Sequence, residues 1–444
     1  MKKKKLVSML LMATMCFSVL TGCGGDTAEE SGSSTPQSSQ NESSNAGEET
    51  PVGSGGSANG WDYSGVDSLA NPDVKLVTYW DLDDASQAAV EAFEAKYGGT
   101  VTIEIISHAR CMTFIPDAMA TGDIMDLVFA EGDINMPSFV LKDYYLPIDQ
   151  YLNYDACDEQ SLNLFQYRDQ HYVFTNAAIS QPYMVLYNKT IFEEEGMKTP
   201  VELYDDGEWT YDKFLEYMVY FTRDNDGDGE NDQWGLGPGF KYQNFGFANG
   251  AFPIYEVGNG ELACGIDSEE CLEWYEFLNK FGESYIGCPG DSDWLESRLC
   301  VMRSEAGPGV VINESYGSTD EFDFVPLPTY DGSPASTPMW DTGWAIVNGC
   351  PNPEGAAVLA NMICEYKMAG YEDELAAKYT DVQIERYKSM VANGIPQKRT
   401  SYSGIDIYAD QNNAIDGMPP QTVVETHKSR LEAEIAAYNE ALKQ

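Results

Sequence analysis

Large apolar and aromatic residues recur at regular spacing from about Asn71 onward, and the spacing predicts alternating strands and helices. Lys75-Leu-Val-Thr-Tyr-Trp80 is a compact β-type run. Asp84-Ala-Ser-Gln87 then offers an N-cap with a glutamine three residues on, followed by Val90, Phe93 and Tyr97 at helical spacing and a stop at Gly98-Gly99. Val101-Thr-Ile-Glu-Ile-Ile106 is a second strand, so the three segments form a βαβ unit with a parallel pair. Asp126-Leu-Val-Phe-Ala130 is a further buried strand that ends in Glu131-Gly132-Asp133. Open parallel sheets bind ligands beyond the carboxyl ends of their strands, which marks Trp80-Asp81 and Glu131 to Asp133 as candidate ligand edges.

The middle of the chain is more helical, with amphipathic stretches at Trp209 to Phe221 and Ser268 to Phe281. Strand patterns return at Phe322-Asp-Phe-Val325 and Gly343-Trp-Ala-Ile-Val347. A closing helix, Thr422 to Leu442, sets Val424, Leu431, Ile435 and Tyr438 on one side. No internal repeat is visible.

Ahead of this body the pattern differs. Lys2 to Lys5, an apolar run from Leu6 to Leu20 and Leu20-Thr21-Gly22-Cys23 form a lipoprotein export signal, residues 1–22 being the leader. The apolar run is shorter than the roughly 20 residues a membrane-spanning helix needs. Cleavage before Cys23 would place a diacylglycerol on its thiol and a further acyl chain on its amine, and two chains hold a protein at a membrane where one does so marginally. The alternative, a secreted protein in which Cys23 is incidental, leaves the small residues at this offset unexplained. Gly24 to about Gly60 is Gly, Ser, Thr, Asn, Gln and Glu with almost no large apolar residue, so residues 23–72 are expected to be a flexible tether.

Charge narrows the partners. Lys and Arg number 26 against 72 Asp and Glu, a net charge of −46, and removing the leader takes away four lysines and no acid. Nucleic acid is excluded as a partner, and anionic solutes are disfavoured. Ten cysteines are present; without Cys16 and Cys23, eight belong to the body. Cys264 with Cys271 and Cys350 with Cys364 are the short-loop disulfide candidates, the alternative being eight buried thiols. Histidines occur only at 108, 171 and 427 and no Cys-x-x-Cys exists, so a thiolate or imidazole metal site has little to build on.

Several local patterns resemble the family 1 extracellular solute-binding proteins, the sugar-type receptors of ABC importers to which maltose-binding protein belongs. The strongest is Pro182-Tyr-Met-Val-Leu-Tyr-Asn-Lys-Thr-Ile-Phe-Glu-Glu-Glu-Gly196, followed by Pro200, Trp209-Thr210 and Phe214. It is similar to the family's crossover strand, its following helix and the proline-to-tryptophan entry to the next helix. Thr222 to Gly229 running to Trp234-Gly235, Phe322 to Pro328, Gly343 to Val347 and Asn352-Pro-Glu354 extend the likeness over the whole body. The resemblance implies an α/β, two-lobed periplasmic-binding-protein-like fold, with a ligand cleft and more than one interlobe crossing. Crossings are expected near Gln181 to Leu186 and near Pro328 to Pro338. Residues 73–183 with 335–375 would make the first lobe, and 187–330 with 376–444 the second. It further implies a monomer on the extracytoplasmic face of the cell membrane, hinge closure on a solute, and delivery to ABC permease subunits.

Two sets of residues carry candidate chemistry. Asp224, Asp226, Asp228 and Asp232, with Glu230 between the last two, supply oxygens at calcium-loop spacing, and Gly229 stands at the sharp-turn position. The position for a bidentate glutamate is Gly235, so the choice stays open between a structural calcium and an acidic surface turn. No other cofactor is required. Sugar rings stack their C–H faces on aromatic rings while their hydroxyls bond carboxylates and amides. Trp80 with Asp81, Glu131 with Asp133, Tyr183, Phe240 with Tyr242, and Trp340 with Asp341 and Trp344 have these residue types near expected cleft edges; packing in a core is the competing role for each. The family often has a sugar-stacking tryptophan after the Gly-Pro of Met302 to Val310, and this chain has Gly309 there. That departure leaves the solute open, with peptides and polyols beside sugars. No catalytic serine, zinc or phosphate-loop motif occurs, and a glycosidase carboxylate pair has no positive support.

Overall fold

The computed structural model describes residues 56–57, 60–289, 297–307, 318–333, 336–396, 402, 405–406 and 408–443, all within the compact unit Gly55–Gln444. The leader, Cys23, the first part of the tether and Gly309 lie outside these residues.

The body begins ahead of the expected βαβ unit, which corrects the expected end of the tether at residue 72: the Trp61 N–H donates to the Leu152 carbonyl at 2.7 Å, and Tyr63 is buried in the first-sheet core. β1 (Val74–Thr78), α1 (Asp84–Tyr97) and β2 (Val101–Ile105) follow one another, and β1 pairs parallel with β2 from Val74 opposite Val101 to Thr78 opposite Ile105. The cap of α1 is Asp83 rather than Asp84. Its backbone is extended, as an N-cap requires, and its carboxylate accepts the Ser86 N–H at 2.9 Å. After α2 (Phe114–Thr121), β3 (Leu127–Glu131) joins the other side of β1, also parallel.

β4 (Gln181–Asn188) starts a second sheet. α3 (Tyr211–Tyr220), β5 (Trp234–Leu236), α4 (Tyr242–Ala248), α5 (Glu269–Ser284), β6 (Cys300–Ala306), β7 (Phe322–Pro326) and β8 (Thr337–Trp340) follow. Next, β9 (Thr342–Ile346) returns to the first sheet, antiparallel to β3. α6 (Pro353–Ala369), α7 (Asp381–Ala392), β10 (Gly394–Ile395) and α8 (Pro420–Ala441) complete the chain. The first sheet runs β9-β3-β1-β2, and the second runs β10-β8-β4-β6-β5 with β7 also on β4.

Strand alternation places cores on both faces of each sheet. Leu76, Leu127 and Ile346 pack with α1 and α6, while Val77, Val128 and Ala345 pack against α2. In β4, Tyr183, Val185 and Tyr187 enter the large aromatic core with α3 and α5; Met184 and Leu186 meet Tyr379 and Tyr387 on the other face.

Strand pairing moves the expected boundaries. All of β4 lies in the second sheet, so Tyr183 belongs there and the chain has changed sheet before Gln181. β8 pairs with β4 through Met339 opposite Pro182 and Trp340 opposite Gln181, so Thr337 to Trp340 belong to the second sheet and the return crossing is at Asp341. Tyr371 and Leu375 pack with the second sheet's core, which sets a third passage just after α6. The disulfide candidates are not bonded: all eight body cysteines are free thiols. Cys364 is fully buried in the first-sheet core and Cys271 in the second, whereas Cys350 and Cys264 are only partly buried at the edges of these cores. Among the described residues no helix is long and apolar enough to cross a membrane.

Candidate functional site

The carboxyl ends of β1 and β3, the start of α1 and the strands that join the sheets meet around a cavity of about 230 Å³. Thr78, Trp80, Asp81 and Asp83 line it from the β1–α1 turn, and Phe129 from β3. Ala178, Ile179 and Gln181 line it from the first crossing, Trp340, Thr342 and Trp344 from the second, and Ile363 and Lys367 from α6. The sequence rule for parallel sheets therefore locates the first-sheet wall, and the crossings supply the floor.

Local bonding holds these side chains in place. The Thr78 hydroxyl accepts the Trp80 N–H at 3.2 Å and donates to the Trp80 carbonyl at 3.1 Å, which closes the turn and turns the indole outward, 51% exposed. Lys367 Nζ lies 2.7 Å from the Asp83 carboxylate. Burial pushes the Asp83 carboxyl up, but the Lys367 ammonium and the Ser86 N–H outweigh it and hold it below the usual range. Trp340 is half-buried, while Trp344 is 4% exposed and stands edge-on to Phe129 at 5.4 Å. The site thus offers exposed and half-buried indole faces, an exposed carboxylate at Asp81, the Gln181 amide and a paired ammonium.

Of the expected ligand residues, Trp80, Asp81, Trp340 and Trp344 come together here. Glu131 and Asp341 lie beside the cavity rather than in its lining. Glu131 is 4% exposed, its Oε2 is 3.5 Å from His108 Nε2, and its N–H donates to Asn135 at 2.9 Å. Asp341 is buried against Gly132: its carbonyl accepts the Gly132 N–H at 2.9 Å, and a Cβ at residue 132 would fall 1.7 Å from Asp341 Oδ2. Asp133 follows in the helical turn Gly132–Asn135. Tyr183, Phe240 and Tyr242 do not line the cavity. Tyr183 is buried in the second-sheet core, Phe240 stacks with Phe281 at 4.7 Å, and the Tyr242 hydroxyl donates to Asn412 at 3.2 Å.

Sequence reasoning passed over His108, Phe129, Gln181 and Lys367. His108 lies 6.2 Å from the Trp80 ring and edge-on to Tyr79. Gln181 carried a signal, being the first residue of the expected crossing strand. Lys367 carried none: only folding brings the last turn of α6 to Asp83.

The acidic loop lies elsewhere, between α3 and β5. Asp224, Asp226 and Asp232 each present a carboxylate oxygen within 4.8 Å of the others, without Asp228 and Glu230. Backbone N–H groups already occupy part of this capacity: Gly227 and Gly229 donate to Asp224 at 2.6 and 2.8 Å, and Asn225 donates to Asp232 at 2.8 Å. These bonds hold the Asp224 carboxyl below its usual range. At the bidentate position, a Cβ on Gly235 would meet the Met218 carbonyl at 2.1 Å, so no carboxylate fits there.

Solved structures with this fold are numerous. A Listeria monocytogenes ABC substrate-binding protein in complex with cycloalternan matches at a TM-score of 0.63 and 13% identity, covering 82% of this chain and 99% of that one. A maltose/maltodextrin-binding domain from Bdellovibrio bacteriovorus bound to maltotriose matches at 0.60 and 17%, covering 82% and 100%. A Thermotoga lettingae solute-binding protein bound with α-D-tagatose matches at 0.60 and 17%, covering 83% and 99%. No protein with a curated description matches the sequence. The family model for bacterial extracellular solute-binding proteins matches residues 88–369, a span that holds β3, the first two sheet crossings and most of the cavity lining. The chain belongs to the bacterial extracellular solute-binding proteins.

Proposed function

We propose that this protein is a lipid-anchored receptor that captures a sugar or oligosaccharide outside the cytoplasm and delivers it, as a monomer, to the permease subunits of an ABC importer. The observation that carries this reading is the convergence of Trp80 and Trp340 on one cavity with Asp81, Gln181 and Lys367. Indole faces suit the C–H faces of a sugar ring, and the charged and amide groups suit its hydroxyls. The cavity sits where the chain passes between the sheets, so a ligand bound there would favour one arrangement of the lobes over another. The carbohydrate ligands of the structural neighbours support the same solute class.

A thermal-shift panel of mono- and oligosaccharides, with polyols, amino acids and peptides as contrast, tests this reading. A carbohydrate should raise the melting temperature and perturb tryptophan fluorescence. For that ligand Trp340→Ala should weaken affinity about tenfold, equivalent to about 1.4 kcal/mol, and leave the empty protein's melting temperature nearly unchanged. A core tryptophan truncated to alanine costs about 3–5 kcal/mol; a Trp340→Ala variant that melts far lower yet binds normally would make the residue structural. Stabilisation by a peptide or polyol alone would overturn the solute class. The anchor is tested separately: Cys23→Ala should lack thioether-linked lipid, and a lipidated N-terminal peptide from that variant would refute it.

A further inference from the structure

α6 contributes Ile363 and Lys367 to the cavity wall, and Cys364 between them is fully buried in the first-sheet core. Burial and the neighbouring Cys157 thiol push the Cys364 thiol up; Cys157 is equally buried in the same core and lies in the turn before the helix Glu159–Asn163. One side-chain amide ties the two segments together. Asn176 Nδ2 donates at 2.8 Å to the carbonyl of Ala156 and at 2.8 Å to that of Cys364. Asn176 itself begins the stretch that becomes the cavity floor at Ala178 and Ile179. The short-loop pairs expected from spacing bypass this arrangement, because 157 and 364 are far apart in sequence and meet only when α6 packs into the first-sheet core.

We propose that Cys157 and Cys364 are a disulfide site, oxidised while the exported chain folds in the presence of a small-molecule or protein disulfide. The Cys157 thiolate attacks one sulfur of the oxidant, forming a mixed disulfide and releasing one thiol. The Cys364 thiolate then attacks the Cys157 sulfur and displaces the second thiol. One protein S–S bond replaces two S–H bonds, and the oxidant's disulfide is reduced to two thiols that take up both protons. Disulfides persist outside the cytosol, where the extracellular family places this chain. Burial pushes the Cys364 thiol well up and shields it from oxidants, so exchange belongs to folding: Cys157 meets the oxidant before α6 docks, and docking delivers Cys364 to the mixed disulfide. The bond would encircle the whole second-sheet segment between the first two crossings. It would clamp the cavity wall on α6 to the chain entering the floor.

The test refolds the full chain with excess glutathione disulfide, or with reductant, then alkylates free thiols in denaturant, reduces, and alkylates again with a heavy label. After oxidative refolding, Cys157 and Cys364 should both carry the heavy label and appear in one cross-linked peptide, while the other six body cysteines carry the light label. The oxidised protein should melt roughly 3–8 °C above the reduced one. Cys157→Ser and Cys364→Ser should each melt at the same temperature with and without reductant. Light label on both cysteines after oxidative refolding, or a Cys350–Cys364 link, overturns the proposal. So does a melting difference that survives both serine substitutions. The peptide map reads the native sequence and does not depend on the variants folding.

Discussion

Asp410 is a carboxyl group placed where its charge is costly. It is fully buried, and the Tyr275 hydroxyl donates to its Oδ2 at 2.6 Å. Burial dominates and pushes it up to about 6, although the Tyr275 bond and the Arg430 guanidinium pull the other way. Because the folded value lies above the unfolded value of about 3.9, the native state holds the proton more tightly. The resulting stability is fully present below about pH 4 and is lost as pH rises through about 6, a swing on the order of 2–3 kcal/mol. Asp410→Asn keeps an acceptor for Tyr275 and removes the charge. Urea unfolding should therefore show the variant more stable than wild type at pH 7.5 by up to that amount, with the gap closing toward pH 4. A gap that is constant with pH would show that the titration of Asp410 does not set it.

At the scale of elements, local pattern told the most where it was strong and continuous. The βαβ unit, α3, α5, β7 and β9 all stand close to where their periodicity predicts them, because each carries its own apolar stripe or alternation. The cap of α1 was displaced by one residue: Asp83 and Asp84 are chemically equal candidates, and only backbone conformation decides between them. β8 was less legible. Thr337-Pro-Met-Trp340 is short and contains a proline, and its sheet is decided by pairing with Pro182 and Gln181 far away in sequence. The cavity divides the same way. Trp80 and Asp81 follow from strand ends, whereas Lys367 arrives from a helix whose packing no local pattern encodes. The acidic loop yields a prediction at this scale. Three carboxylates without a bidentate partner are expected to hold calcium weakly, so millimolar-range calcium should raise the melting temperature slightly by mass action, and Asp226→Ala should abolish the rise. Identical melting in calcium and in chelator would leave the loop as a turn stabilised by its own N–H bonds.

For the whole molecule, the arrangement of the sheets suggests how binding could become a signal to a partner. The cavity is walled by the first sheet and floored by the crossings, and the described lining includes no residue of α3, α4, α5 or β5 to β7. A ligand stacked on Trp80 touches the first lobe, while Trp340 and Gln181 end the pair of strands that enters the second. Such a ligand would contact both sides of the passage where the lobes join, and any rotation there would carry the whole aromatic core around Trp209 and Trp274 with it. X-ray scattering from a tether-free body should therefore give a smaller radius of gyration with saturating sugar than without, because closing a cleft brings two masses together. The salt concentration must be matched, since a chain this acidic repels itself and interparticle repulsion depresses the apparent radius. Equal radii under conditions where tryptophan fluorescence proves saturation would mean that the ligand is held without lobe closure. Under the proposed transport role, a permease would then have to sense the cavity itself rather than the outline of the protein.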